Sequence, residues 1–379
     1  MNCESSIKYF DSKEYKLISV NAAEVCLAPY VWKRTQVAGL AAIEAAMPGA
    51  YLKFMAENTR SVGIIVDVTA AKGCPASSMP VIEYSVDNGP FKVLQLTVTG
   101  DVYMLMLAEK LDHNRPHHVE LYFRAADLMQ KRWETSTVHL CLAGIALDHS
   151  ARLVPVPVRP RKAIGFGDSI IEGVGVEGRF TSWQGLEVNR AAGSWFPLVC
   201  AALGCEYGQL GTGGQGILNK SMEIPPLLQT WDHYDAYTSR LTDNLLLPEP
   251  DYVFCGMGTN DFQDRDPKKP CDISDAYLQW LTAVRKACPT ADIFCVVPPF
   301  GWHFKEIQTA VTVRNQAGDR SVYLIDTAPL KDGFDPENQP SRYAYDGCHP
   351  SLYGNAMLAS LITAEVQKIN SSPTKYLKR

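Results

Sequence analysis

The chain has 379 residues, 46% of them hydrophobic, which suits two ordinary globular domains with proper cores. Its formal net charge of −5 gives no electrostatic case for nucleic acid or an anionic membrane. No uninterrupted apolar stretch approaches a membrane span, and Met1-Asn2-Cys3-Glu4 shows no basic-then-apolar leader.

The 11 cysteines are odd in number and contain no Cys-x-x-Cys pair. Cys141, Cys255 and Cys295 sit inside apolar, strand-like runs, where free cysteine behaves as a small hydrophobe. Reduced core cysteines and the absence of a visible leader predict a cytoplasmic protein. The 8 histidines form no metal-ligand spacing, and the adjacent pair His117-His118 reads as surface rather than as ligands.

Residues 1–155 read as β-rich. Ser61–Thr69 has the β-branched content of a strand. Val81–Val86 and Phe91–Leu96 flank Asp87-Asn88-Gly89, which predicts a hairpin with Asn-Gly supplying the positive φ angles. Val119, Leu121 and Phe123 alternate with Glu120, Tyr122 and Arg124, the period-2 pattern of a half-buried strand, and His139–Leu147 is a further candidate. Many short strands with turn signals predict a β-sandwich. Leu153-Val-Pro-Val-Pro-Val-Arg-Pro160 then reads as an extended connector, with the domain boundary at 155/156.

From 156 to 379 the pattern alternates strand and helix. Ala163–Gly167, Tyr252–Met257, Asp292–Val297 and Val322–Ile325 read as short buried strands, and Cys205–Leu210 as a weaker one. Ile273, Ala276, Tyr277, Trp280, Leu281 and Val284 form one apolar helical stripe, with Asp272 as N-cap and Pro289 as stop. A last helix starts near Ser351 and runs through Leu358, Leu361 and Val366. Strands interleaved with helices predict an α/β domain, a parallel sheet covered on both faces.

Four segments carry the chemistry. Gly167-Asp168-Ser169-Ile170 follows the first of these strands, Gly211–Gly216 follows the weak one, and Gly258-Thr259-Asn260-Asp261 follows Val253–Met257. The fourth, Asp346-Gly347-Cys348-His349, precedes the last helix. Sites in such sheets gather outside the carboxyl ends of strands. Acyl transfer needs a nucleophile, an oriented base and donors for the oxyanion. Ser169 can be the nucleophile, His349 the base and Asp346 the group that fixes the imidazole tautomer. A glycine-loop N–H and the Asn260 amide can meet the developing negative charge.

Each residue also has a plainer role open to it. Ser169 can cap a helix, Asp346 can close an Asx turn, and Asp261 reads as structural. Gly211–Gly216 lacks the Gly-Lys-Ser/Thr of a phosphate loop, which argues against nucleotide binding.

Together the four blocks, in this order, resemble the SGNH (GDSL) hydrolase superfamily over roughly residues 161–370. The resemblance implies a three-layer parallel sheet with helices on both faces and a Ser169–His349–Asp346 triad. It implies an oxyanion hole of the Ser169 N–H, the Gly214 N–H and the Asn260 side chain. The glycine block is the loosest match. Gln209 stands where the family often has Asn, and Gly211 is the alternative donor.

A sandwich ahead of such a domain, jelly-roll-like, is similar to the layout of carbohydrate esterase family 2. That likeness implies removal of a small O-acyl group, acetyl, from a carbohydrate, with no metal or organic cofactor required. The same machinery also fits a thioesterase, lipase or acyltransferase acting on a lipid or secondary metabolite. A third reading is an inactive carbohydrate-binding protein. Among the aromatics Trp183, Trp195, Trp231, Trp302 and Tyr345, the best candidates for a substrate wall are Trp302, after a strand end, and Tyr345, beside Asp346.

Overall fold

A computed structural model describes residues 7–8, 10–182, 185–241, 249–266, 268–334 and 340–372. The first part is a sandwich of two antiparallel sheets. The seven-stranded sheet runs in the order Ile7–Lys8, Val102–Ala108, Val62–Asp67, Leu140–Asp148, Leu40–Ala45, Lys33–Val37, with Tyr15–Ile18 also paired to Leu140–Asp148. The six-stranded sheet runs Arg152–Val154, Tyr51–Glu57, His117–Ala125, Val81–Val86, Lys92–Gln95, with Cys26–Leu27 beside Tyr51–Glu57.

The alternation read from sequence sets the faces. Val119, Leu121 and Phe123 are fully buried, while Glu120 and Tyr122 are half-buried. Arg124 departs from the pattern: it is 3% exposed because the second part of the chain covers it. The hairpin forms, but its turn differs from the expectation. Asp87 and Asn88 hold the positive φ angles, both 56°, and the Gly89 N–H closes the turn on the Val86 carbonyl 3.0 Å away. Asp and Asn tolerate the left-handed region through local side-chain hydrogen bonds, so Gly89 need not supply it. His117 is also not at the surface. It is fully buried, with Nδ1 2.8 Å from Asp87 Oδ2 and Nε2 2.8 Å from the Asp112 carbonyl.

Residues 155–160 lie between the last sandwich strand and the first strand of the second part. That part is a parallel sheet of β1 (Arg161–Gly167), β2 (Cys205–Gly211), β3 (Tyr252–Gly256), β4 (Asp292–Val296) and β5 (Val322–Ile325), in the order β2-β1-β3-β4-β5. Its helices are α1 (Ser169–Glu172), α2 (Trp195–Leu203), α3 (Leu227–Thr230), α4 (Ser274–Ala287), α5 (Phe304–Gln316) and α6 (Leu352–Asn370). Successive side chains along each strand point to opposite layers, and Phe254 and Phe166 sit one register step apart. Phe254 meets Trp195 and Phe196 of α2, whereas Phe166 meets Trp280 of α4 edge-on at 5.6 Å. The N-cap of α4 is Ile273 rather than Asp272, which stands one residue earlier and accepts from the Ser274 N–H at 2.9 Å, while Ser351 caps α6. One continuous hydrophobic core joins the sandwich interior to the parallel sheet and its helices. Among the described residues no helix is long and apolar enough to cross a membrane, and ten cysteines are unpaired.

Candidate active site

Sheet register sets the site. Gly167 of β1 pairs with Gly211 of β2 and Gly256 of β3, so three of the four motif blocks leave the sheet at one level. Asp168 caps α1, its Oδ1 accepting from the Ile170 N–H at 2.9 Å, which places Ser169 in the first turn. The fourth block lies just before α6 and returns His349 to the same rim.

There Ser169 Oγ lies 3.0 Å from His349 Nε2, and His349 Nδ1 lies 2.7 Å from Asp346 Oδ2. An ionised carboxylate only accepts, which assigns the ring proton to Nδ1 and leaves the Nε2 lone pair facing the serine hydroxyl. All three residues are buried. Asp346 also closes the turn considered as its plainer role. Its Oδ1 accepts from the Cys348 N–H at 2.9 Å and the His349 N–H at 2.7 Å. Burial pushes its carboxyl up, but the His349 ring and these two N–H groups outweigh it and hold the carboxyl below the usual range.

The glycine loop and the Asn260 loop are laced together beside the serine. Asp261 is fully buried and accepts from the N–H groups of Ile217, Leu218 and Asn219 at 2.9, 2.8 and 3.3 Å. Burial pushes its carboxyl up, and these bonds offset part of the rise. The Asn219 amide donates to the carbonyls of Asn260 and Phe262, and one Asn260 Nδ2–H donates to the Gln215 carbonyl at 3.0 Å. Gly214 has φ 76°, a backbone that strains any residue with a Cβ. Among the described residues, the N–H groups of Ser169 and Gly214 and the second Asn260 amide hydrogen make no intramolecular hydrogen bond. Gly211, the alternative donor, ends β2 and packs against the backbone of Glu172, whereas Gly214 lies in the loop beyond the strand.

The aromatic candidates behave differently from one another. Trp302 is half-buried and packs edge-on against Phe262 at 4.9 Å, two residues beyond Asn260. Tyr345 is 40% exposed and has no ring contact among the described residues. Trp195 and Trp231 are core, under 9% exposed, and Trp183 lies outside the described residues. The ring against His349 is one that the sequence did not flag: Phe180, 5.0 Å away between centroids. Glu172, Arg132 and Asn219 were not flagged either, since no spacing rule ties them to the motif blocks. Among the described residues one group of metal-type side chains converges, Glu44, His139 and Cys141 on the sandwich. Lys33 pairs with Glu44 at 3.3 Å, and burial pushes the Cys141 thiol up to about 12, which opposes a thiolate ligand.

Residues 166–357 match the GDSL-like Lipase/Acylhydrolase family. The chain belongs to that family. It is an SGNH-type hydrolase with a β-sandwich in front of its catalytic fold. A curated relative, the cellulase/esterase CelE of Acetivibrio thermocellus, is 26% identical over 293 residues. That match takes in 74% of this chain and 33% of CelE, so the hydrolase spans about a third of that relative's length. The acetyl xylan esterase Est2A of Butyrivibrio proteoclasticus superposes with a TM-score of 0.70 at 17% identity, covering 94% of this chain and 98% of that one. A family two carbohydrate esterase from Clostridium thermocellum, solved with cellohexaose, superposes at 0.70 with 18% identity, covering 91% and 98%. These likenesses establish the two-part fold.

Proposed function

We propose that the hydrolase is a serine esterase removing acetyl groups from a carbohydrate. The observation that carries this reading is the chain Ser169 Oγ–His349 Nε2 at 3.0 Å and His349 Nδ1–Asp346 Oδ2 at 2.7 Å.

His349 Nε2 takes the hydroxyl proton as Ser169 Oγ forms a bond to the ester carbonyl carbon. The carbonyl oxygen becomes an oxyanion, met by the Ser169 N–H, the Gly214 N–H and the Asn260 amide. Asp346 keeps the ring in the required tautomer and stabilises the imidazolium. The C–O bond to the alcohol breaks, and the leaving oxygen takes the proton from His349. Water then gives a proton to His349 and attacks the acyl carbon; the bond from that carbon to Ser169 Oγ breaks, acetate leaves, and Oγ takes the proton back from His349. The carbohydrate assignment draws on the relatives' own descriptions, a cellulase/esterase, an acetyl xylan esterase and an esterase with bound cellohexaose.

The test compares acetylated oligosaccharides with medium-chain nitrophenyl esters and acyl thioesters. Acetate release from the sugars should dominate, and Ser169→Ala should abolish it while the protein stays folded by circular dichroism. Preference for long chains or thioesters would replace the carbohydrate reading with the lipid or metabolite one.

A further inference from the structure

The oxyanion donor Gly214 gets its direction from its neighbours. A peptide unit is planar, with its C=O and N–H pointing opposite ways. The unit joining Gly213 to Gly214 therefore aims the Gly214 N–H opposite to the Gly213 carbonyl, and that carbonyl accepts from the Ser221 hydroxyl. The preceding unit is fixed too, because the Gly213 N–H donates to Glu172 Oε2 at 2.6 Å. Both planes flanking Gly213 are clamped, and neither clamp touches the reacting atoms.

The Glu172 clamp is held from outside the catalytic fold. Glu172 is 3% exposed, and its other oxygen pairs with Arg132 Nη1 at 2.5 Å. Arg132 comes from the sandwich and is 2% exposed. Its Nη2 donates to the Ala126 carbonyl at 2.9 Å, and its backbone N–H donates to Glu223 at 2.7 Å. Leu128 of the same segment closes on the face of Gly213, so near that a Cβ there would sit 2.7 Å from its methyl carbon. An isolated buried carboxylate would take up a proton or turn away. Arg132 instead gives the Glu172 carboxylate a buried partner that holds one oxygen and leaves the other turned to the Gly213 N–H.

We infer that Arg132 and Ser221 are positioning residues for the oxyanion hole, acting through the two peptide planes at Gly213 to aim the Gly214 N–H. On this inference the sandwich completes the site rather than merely adjoining it. The inference rests on the serine-esterase reading.

The experiment measures kcat and KM on 4-nitrophenyl acetate, and the inhibition constant of phenylboronic acid, which forms a tetrahedral adduct on an active serine. Arg132→Met and Ser221→Ala should each lower kcat about 10- to 100-fold, short of or near the loss of a whole donor. KM should stay within about twofold, and boronate binding should weaken by the same factor as kcat, because both need the aimed N–H. Arg132→Lys, which restores the charge, should recover much of the loss. Lys53→Met is the control. It breaks another buried ion pair between the sandwich and the parallel sheet, Lys53–Glu206 at 3.1 Å, near the start of β2. It should lower the melting temperature and leave kcat within about twofold, since it does not touch the oxyanion loop. If Ser221→Ala and Arg132→Met keep wild-type kcat and boronate affinity, or if Lys53→Met loses as much as they do, the inference is overturned. A wild-type protein that neither turns over ester nor binds boronate at Ser169 overturns the esterase reading itself, and this inference with it.

Discussion

Asp168 is fully buried and, like Asp261, carries the cost of desolvating a carboxylate. Burial pushes its carboxyl up to about 6, only partly countered by the Ile170 N–H, the Thr259 hydroxyl and the nearby His349. Folding raises this pKa from an ordinary 3.8, so the native state binds the proton more tightly than the unfolded chain does. The stability that Asp168 contributes is therefore intact below about pH 4 and is lost as pH rises through about 6. Asp168→Asn keeps an acceptor for the cap and removes the ionisation. The variant should match the wild type in urea unfolding at pH 4 and exceed it by about 3 kcal/mol at pH 7. A gap independent of pH would mean that the carboxylate is stabilised by contacts outside this account. Legibility at this scale followed spacing. Asp346 and His349 share one turn, and Ser169 lies one residue past the end of a strand, so short-range pattern singled them out. Arg132 and Glu172 meet only through the fold, and nothing in their flanking residues signals a partner.

Helices show the same divide. α4 carries a clean apolar stripe from Ala276 to Val284, which made it readable. α2 is Trp-Phe-Pro-Leu-Val-Cys-Ala-Ala-Leu, apolar on nearly every face because it lies between the sheet and α6, and it offers no periodic signal. The loop after α1 was unread for another reason: its order comes from charges on the sandwich. Glu83 and Arg124 of the six-stranded sheet are 1% and 3% exposed. They pair at 3.0 Å, and Arg190 reaches the same Glu83 carboxylate at 3.0 Å. Glu177 completes the cluster, 2.5 Å from Arg124 and 3.2 Å from Arg190. Glu177 and Arg190 bracket Phe180, the ring against His349. Glu83→Gln keeps the shape and removes the central charge, leaving two buried or half-buried guanidinium groups to share Glu177. Breaking a buried pair in this way costs about 3–5 kcal/mol, so the urea midpoint should fall by that equivalent at an unchanged m-value. A loss under about 1 kcal/mol would show that the cluster is well solvated and does not fix the loop.

The contacts between the two parts bear on how the whole molecule unfolds. β2 is an edge strand of the parallel sheet, and the sandwich covers it. The Tyr51 hydroxyl donates to Glu206 and accepts from the Tyr207 N–H at 3.0 Å, while Lys53 pairs with Glu206. Gly208 closes on the Pro29 carbonyl, and the buried Arg240 donates to the carbonyl of Tyr30. Melting the sandwich alone would bare the β2 edge and strand Glu206, Glu172 and Arg240 without the groups that satisfy them. Exposed edges and unpaired buried charges are both costly, so partial unfolding is disfavoured relative to complete unfolding. Domains joined by a small polar interface usually melt separately, but here one hydrophobic core runs through both. Calorimetry should therefore give a single endotherm, with van't Hoff and calorimetric enthalpies in agreement. Intrinsic fluorescence and loss of esterase activity should follow the same midpoint. Two resolved endotherms, with activity lost in only one of them, would mean that the interface is too weak to couple the sandwich to the catalytic fold.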